Sequence, residues 1–213
     1  MKEHMTYVQS LNVQNFPLGC FEGEGEYDIP IIKPEFEYYD CPFCGFDKRY
    51  IESDTHGAHF FYDDSKTLRV WNSPKRYINA LSKFRYILAP TFSMHPDYPA
   101  ALSVYNQYRR HWCARYWQTN GFIVFPTISW MRKDSYDWCF DGEPYKAIVA
   151  VSSDCVKNGI LTRKEFIDGY EEMEKRLKPS KVLWFGNFCL DKERENIVMC
   201  KRLPERERAL NDK

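Results

Sequence analysis

Four runs of consecutive apolar residues stand out along the chain, and segments with helical periodicity separate them. An apolar run of this length predicts a strand that is buried on both faces, as in a parallel sheet covered by helices. Proline closes the first two runs, at Pro90 and Pro126, because proline cannot donate to a sheet ladder. The four predicted strands span residues 86–89, 122–125, 147–151 and 182–185.

Three other segments repeat their apolar residues at the spacing of an amphipathic helix. Ser73-Pro74 predicts the start of the first, since proline suits the first helical position, and the second helix extends over about residues 99–119. Thr162 and Glu165 form a capping box at the start of the third. Because strands and helices alternate, we predict an α/β fold with a mostly parallel sheet. It is either an open doubly wound sheet or a partial or small β/α barrel.

The domain organisation follows from the spread of glycine and proline. Residues 1–40 are punctuated by both and predict an irregular N-terminal arm, with a short edge strand within 27–32. Residues 41–213 form a single α/β domain, since 213 residues lie near the upper end of one ordinary domain. The charged tail from Asp191 onward is predicted to end in a short helix.

Charge and cysteine content narrow the setting of the protein. Thirty basic residues balance thirty acidic ones. Proteins that bind duplex nucleic acid without sequence specificity usually have an excess of basic residues, so the composition does not favour that class. The segment Met1–Met5 has no apolar character and no stretch approaches membrane-spanning length, which predicts a cytoplasmic protein without a membrane anchor. The eight cysteines are then expected to be reduced thiols.

Candidate ligand-binding side chains follow the four predicted strands. In either architecture, ligands bind beyond the carboxyl ends of the strands. Hydroxyls, an amide, a histidine and an indole suit a polar ligand that is planar or phosphorylated. The ligand-binding candidates are Ser93, His95, Trp130, Ser152 and Asn187, with Ser129 as a catalytic candidate and Thr91, Thr127, Ser153 and Asp154 at the same strand ends. The alternative is that these serines and threonines cap the next helices.

Acidic residues in loops supply a second set of candidates. Asp137 lies in an acidic and aromatic loop, residues 134–142, and is a catalytic candidate as a general base or as an oxygen ligand of a metal. In the same loop Asp141-Gly142 favours a plain turn. The adjacent pair Asp63-Asp64 can also bind a metal, although such a pair more often begins a solvated loop.

The segment Cys41-Pro42-Phe43-Cys44-Gly45 has the spacing of a zinc knuckle, in which a tight turn presents two thiolates to one ion. A tetrahedral site needs two further ligands, and His56 and His59 are the nearest candidates downstream. Cys20 is another. The hypothesis is a structural zinc; the alternative is a pair of thiols in a loop.

Four segments taken together resemble an uncharacterised family found in bacteria, phages and mobile elements. They carry the motifs His-Phe-Phe-x-Asp-Asp (59–64), Arg-Val-Trp-Asn-Ser-Pro (69–74), Pro-Thr-x-Ser-Trp (126–130) and Cys-Phe-Asp-Gly (139–142). The resemblance extends from about Tyr27 to Phe185. It implies a protein of bacteria, phages or mobile elements and does not imply any particular reaction. It implies an acid before the Phe-Ser pair, where this chain has Thr91, and it does not include the cysteine knuckle.

Two functions of different classes are compatible with these residues. The first is a phage or mobile-element accessory protein that binds or processes a nucleotide or a nucleic-acid end at the strand ends. Trp130 would then stack on the ligand, while the hydroxyls and Asn187 bind its polar groups. The second is a non-catalytic protein that binds a host or replication protein through exposed aromatic side chains. The sequence is compatible with both functions, and the first of them includes either binding alone or catalysis.

Overall fold

The computed structural model describes residues 21–48 and 55–204. In chain order its strands and helices are β1 (Gly23–Glu24), β2 (Ile29–Pro30), β3 (Phe43–Gly45), β4 (Gly57–His59), α1 (Asp64–Asn72), α2 (Pro74–Leu81), β5 (Tyr86–Leu88), α3 (Ala100–Thr119), β6 (Val124–Phe125), β7 (Ile148–Ser152), α4 (Asp154–Lys157), α5 (Arg163–Leu177), β8 (Lys181–Phe185) and β9 (Ile197–Met199), with a short 3-10 turn at Lys133–Ser135.

Seven parallel strands close into a ring. Strands β3, β4, β5 and β6 pair in that order in one sheet, and β7, β8 and β9 pair in a second. A parallel bridge between Thr127 and Ala150 joins β6 to β7. Another between Phe43 and Arg202 joins the segment after β9 to β3. Backbone hydrogen bonds reinforce both seams, including Ala150 N to the Pro126 carbonyl (2.8 Å) and Leu203 N to the Phe43 carbonyl (2.8 Å). The sheet is therefore a small β/α barrel, the second of the two predicted architectures.

Alternation along each strand divides the apolar side chains between the barrel interior and its outside. In β7, Ile148 and Ala150 pack inside the ring, while Val149 and Val151 pack against the helices. Phe43 and Phe185 meet inside the ring with their ring centroids 5.1 Å apart. The buried interior consists of Cys41, Phe43, Tyr86, Leu88, Phe125, Ile148, Ala150, Leu183 and Phe185.

Helices cover the outside of the barrel in two apolar clusters. Helix α3 packs on the four-stranded sheet, where Trp117 stacks on Phe60 with centroids 5.1 Å apart. Helix α5 packs on the three-stranded sheet through a buried face that includes Phe166 and Tyr170. The capping box of Thr162 and Glu165 is present at its first turn, as predicted.

The arm before β3 closes the amino end of the barrel. Strands β1 and β2 form an antiparallel hairpin, so the edge strand predicted within 27–32 is present as β2. Farther along, Tyr38 lies beneath the ring, with centroids 5.5 Å from Tyr86 and 6.0 Å from Phe125. The carbonyl of Glu35 accepts a hydrogen bond from Ile148 N at the start of β7 (2.9 Å).

A buried polar network fastens this arm to helix α3. His111 Nδ1 lies 2.8 Å from the Pro30 carbonyl, and its Nε2 lies 2.9 Å from Glu143 Oε1. Arg110, which is 1% exposed, lies 3.6 Å from the same carboxylate oxygen. Gly142 is in a turn with φ of 71°, where an added Cβ would lie 2.7 Å from the Pro30 carbonyl oxygen, so this position requires glycine.

The structure contains three strands that the sequence did not predict, β3, β4 and β9. Strands β3 and β4 lack a run of large apolar residues, and β9 is a three-residue strand within the charged tail. The charged tail contains β9 and the bridge at Arg202, and the short helix predicted at its end falls on residues 205–213, which lie outside the described ranges. Among the described helices, none combines the length and apolar composition needed to cross a lipid bilayer.

Filling of the barrel interior is expected to dominate stability. Leu183 is fully buried inside the ring, so Leu183→Ala removes buried methyl groups and leaves a cavity. We expect a loss of about 2–5 kcal/mol in the free energy of unfolding, measured by urea titration. The control is Leu102→Ala on helix α3, where the side chain is 42% exposed and the change is expected to stay within about 0.5 kcal/mol. Equal costs for both variants would contradict a packed interior.

Candidate functional site

A cleft with a volume of about 410 Å³ opens at the carboxyl end of the barrel. Residues that directly follow β4, β5, β6 and β7 line it, because the ends of neighbouring parallel strands meet at one edge of the ring. Its wall facing the helix layer comes from the segment after α4 and from Phe166 of α5. The arm covers the opposite end of the barrel, so the cleft opens to solvent at the carboxyl end of the strands.

Threonine hydroxyls tie the strand ends together at the base of the cleft. Thr91, just after β5, donates its hydroxyl hydrogen to the Phe60 carbonyl (2.5 Å). Thr127, just after β6, donates to the Ala89 carbonyl (2.9 Å). Each bond joins a strand end to its neighbour in the ring, and it also leaves the threonine oxygen with lone pairs as its remaining hydrogen-bonding capacity.

Ser93 fixes the rim of the cleft to helix α1. Its backbone N–H and its hydroxyl both donate to Asp64 Oδ1, at 2.9 and 2.8 Å. The Ser93 carbonyl accepts a hydrogen bond from Asn106 Nδ2 of α3 (2.5 Å). The loop after β5 is therefore held from two helices.

Two further serines line the cleft. Ser152 Oγ accepts a hydrogen bond from Asp154 N (3.3 Å), and the Ser152 hydroxyl in turn hydrogen-bonds to the Asp154 carboxylate. Ser129 is half-buried, and within the described ranges no group hydrogen-bonds to its hydroxyl. The neighbouring Ser153 plays another part, because its hydroxyl donates to the Asn187 carbonyl (2.7 Å) and joins the ends of β7 and β8.

Two carboxylates line the cleft, and only one of them is paired with a basic side chain among the described residues. Asp154 Oδ2 and Oδ1 accept hydrogen bonds from the two terminal nitrogens of Arg202, at 2.5 and 2.8 Å. Burial alone would raise the pKa of Asp154, but the hydrogen bonds and the charge of Arg202 outweigh it and lower that pKa below its ordinary value. Asp63 is exposed at the end of β4, and its carboxylate has no ion pair or hydrogen bond with any described residue.

Aromatic side chains form the walls, and Trp130 is the most rigidly held of them. Its indole is 5% exposed and lies 5.1 Å from the Phe166 ring, centroid to centroid. Gly169 of α5 lies flat against it, since an added Cβ there would be 2.1 Å from the indole Cδ1. Phe61, Tyr62 and Phe92 line the other side.

The cleft brings together four of the ligand-binding and catalytic candidates from the sequence: Ser93, Ser129, Trp130 and Ser152. The other three lie elsewhere. His95 is on the loop before α3, with Nδ1 3.5 Å from Asp97 Oδ2. The Asn187 side chain is exposed outside the cleft lining. Asp137 is exposed and lines a separate surface depression beside α5.

Sequence reasoning did not select Asp63, which is the one cleft carboxylate without a partner in the described ranges. The Asp63-Asp64 pair follows the apolar triplet His59-Phe60-Phe61 and was considered as a metal site at a strand end, but the start of a solvated loop was favoured because adjacent acids more often begin one. In the structure Asp63 directly precedes helix α1, and its carbonyl accepts the Lys66 and Thr67 N–H groups.

The zinc candidates do not converge on one point. Cys41 packs inside the barrel, whereas Cys44 packs in the outer cluster with the helices. Residues three apart on an extended chain point to opposite faces, which separates the two thiols. His56 and His59 stand before and at the end of β4. Within residues 21–48 and 55–204, no group of three or more His, Cys, Asp or Glu side chains is arranged to hold a metal ion. Cys20 lies outside the described residues.

Burial sets the pKa of the inner thiols in the metal-free chain. Cys44 is 1% exposed, and burial raises the pKa of its thiol to about 12. Burial also raises the pKa of the Cys139 thiol and of the Cys155 thiol to about 12.

The fold and the cleft define a small, closed, parallel β/α barrel with a polar site at the carboxyl end of its strands. The chain belongs to the family DUF4417, a domain of unknown function, whose model matches residues 21–201. The resemblance to an uncharacterised phage family is thereby confirmed.

Two relatives are phage proteins. The chain is 33% identical over 177 residues to the "Gene 1 protein" of Mycobacterium phage D29, covering 80% of this chain and 65% of that protein. It is 31% identical over 170 residues to the "Gene 1 protein" of Mycobacterium phage L5, covering 78% of this chain and 74% of that protein. The chain thus spans just under two thirds of the D29 protein's length. No solved structure matches the chain.

The Asp154–Arg202 pair is expected to make stability depend on pH. A carboxyl whose pKa is lowered by folding stabilises the protein above its unfolded pKa, about 3.9, and loses that contribution as the pH falls through the folded value. Arg202→Met should therefore cost about 1–3 kcal/mol at pH 7, and the difference from the parent protein should shrink below about pH 4. Urea unfolding at both pH values measures it. Lys175→Met, which breaks an exposed pair with Glu172, is the control and should show a small cost. A pH-independent loss in Arg202→Met would contradict the pairing.

The separation of the two thiols predicts that they do not share a zinc ion. Metal content of the purified protein, measured by plasma mass spectrometry, should be unchanged by Cys41→Ala and by Cys44→Ala. Stoichiometric zinc that disappears in both variants would contradict this geometry and support the knuckle.

Proposed function

We propose that the cleft binds a nucleoside, either free or as the terminal residue of a nucleic-acid strand. The observation that carries the proposal is the convergence of polar side chains from four successive strand ends on one aromatic-walled cleft. Hydroxyls of Thr91, Thr127, Ser129 and Ser152 and the carboxylate of Asp63 all line it. If these side chains only capped helices, they would have no reason to line the same cavity.

The size and walls of the cleft suit such a ligand. Small-molecule pockets in proteins enclose about 300–1,000 Å³, and this cleft encloses about 410 Å³. A planar base gains most from contact with aromatic side chains, in stacked or edge-on geometry. Phe61, Tyr62 and Phe92 supply this contact on one side, and the edge of Trp130 supplies it on the other.

The polar groups divide into two roles. Ser129 has an O–H group that no described residue engages, and it can donate to an oxygen or nitrogen acceptor of the ligand. The carboxylate of Asp63 acts as an acceptor. Ribose hydroxyls can satisfy both kinds of partner because each is a donor and an acceptor.

Phosphate groups are expected to remain outside the cleft. None of the residues that line it is Lys, Arg or His. The guanidinium of Arg202 is committed to Asp154 by two hydrogen bonds. A phosphate inside would face the carboxylate of Asp63, whose charge no described residue compensates, and this is unfavourable at short range. This arrangement favours a nucleoside whose phosphate chain leaves through the mouth.

Binding to the folded state raises the melting temperature, so thermal-shift and calorimetric titrations with nucleosides and short single-stranded oligonucleotides test the proposal. We expect Ser129→Ala to weaken binding about fivefold, because one hydrogen bond of roughly 1 kcal/mol is lost. Ser180→Ala, an exposed serine before β8 at the other end of the barrel, is the matched control and should bind like the parent protein.

Two results would overturn the proposal. One is the absence of any melting-temperature change at millimolar nucleoside or oligonucleotide. The other is binding that is insensitive to Ser129→Ala but lost when exposed aromatics such as Phe36 (63% exposed) and Tyr39 (65% exposed) are replaced by alanine. The second result would favour the non-catalytic, partner-binding function instead.

A further inference from the structure

The hydrogen-bonding groups of the cleft are strongly biased toward acceptors. Six side chains with hydroxyl groups line it, and five of these have already given their hydrogen to a protein acceptor, among them Ser152, which hydrogen-bonds to the Asp154 carboxylate. Thr91 and Thr127 donate to backbone carbonyls, Ser93 donates to Asp64, and Tyr62 donates to Asp47 Oδ1 (3.3 Å). Each can offer a ligand only the lone pairs of its oxygen.

Most other polar groups of the lining strengthen this bias; the exception is the exposed amide of Asn158, which has both donors and an acceptor. Asp63 and Asp154 are acceptors only, and the charge of Asp154 is met by Arg202 while that of Asp63 is met by no described residue. The Cys155 thiol is committed to the Ser152 carbonyl (3.8 Å). The indole N–H of Trp130 is fully buried beside Gly169, so it is not offered to a ligand.

A ligand that fits an acceptor-rich cleft must bring donors. An amino group facing Asp63 forms a charge-assisted hydrogen bond, whereas a carbonyl oxygen in the same place puts two acceptors together and leaves both unsatisfied. Carboxylates read the amino group of a base in the same way in nucleic-acid complexes. The difference between amino and oxo bases is therefore the property to which this site is most sensitive.

We propose that the cleft selects nucleosides whose base carries an exocyclic amino group, and that Asp63 is the residue that determines this specificity. The inference rests on the proposed nucleoside-binding function and names its substrate class. Adenine and cytosine present such a group on the edge opposite the sugar; hypoxanthine and uracil carry an oxo group at the same position. Asp63 accepts the amino hydrogen, and Ser129 donates to an acceptor of the base or sugar.

Two matched pairs of ligands differ at this edge of the base: adenosine against inosine, and cytidine against uridine, in which the oxo member also carries an N–H on the adjacent ring nitrogen. We expect calorimetric titration to show the amino member of each pair binding at least about tenfold more tightly. Asp63→Asn supplies an amide that can donate as well as accept, so it should bring both ratios close to one. The side chain of Asp63 is exposed, and the melting temperature of the variant serves as the check on folding.

Asp137→Asn is the matched control, because it removes an exposed carboxylate that lines a different depression. It should keep both ratios at their parent values. Equal affinity within each pair, or a preference that persists in Asp63→Asn, would overturn the inference while leaving nucleoside binding intact. Absence of binding by all four nucleosides would overturn the proposed function and this specificity together.

Discussion

Closure of the strand ring at two single bridges is the constraint on which the rest of the structure depends. The bridges at Thr127–Ala150 and Phe43–Arg202 turn two short parallel sheets into one barrel, which allows Phe43, Leu183 and their neighbours to pack away from water. The same two seams also build the cleft. Thr127 lines it directly, and the side chain of Arg202 holds Asp154 at its edge. Loss of either seam would therefore disturb the core and the site together.

The hydrogen bonds that hold the strand ends in place also set the chemistry of the cleft. A hydroxyl that donates to a neighbouring strand, as in Thr91 and Thr127, is rigid and can then only accept from a ligand. Structural support and ligand preference thus arise from one set of bonds. Ser129 and Asp63 differ because no described residue satisfies them, and they are the groups whose interactions a ligand changes most.

Local pattern was enough to predict the elements that carry long apolar runs or complete capping signals. Strands β5, β7 and β8 and helices α3 and α5 are of this kind, because burial on both faces or on one helical face leaves a periodic record in the chain. Strands β3, β4 and β9 have three residues each, with glycine, cysteine or exposed positions among them, and they are strands only because neighbours supply the ladder.

By itself, the sequence determined the α/β class, the parallel direction of the sheet, the presence of hydroxyl groups at the strand ends and the resemblance to a phage family. These properties depend on residues close together in the chain, or on motifs that can be compared directly. Only the tertiary structure decided that the sheet closes, that Cys41 and Cys44 point to opposite sides, that Asp137 lies outside the cleft, and that Asp154 is neutralised by Arg202. Each of these depends on where a segment lies in three dimensions or on contacts between distant residues, and no local periodicity records that.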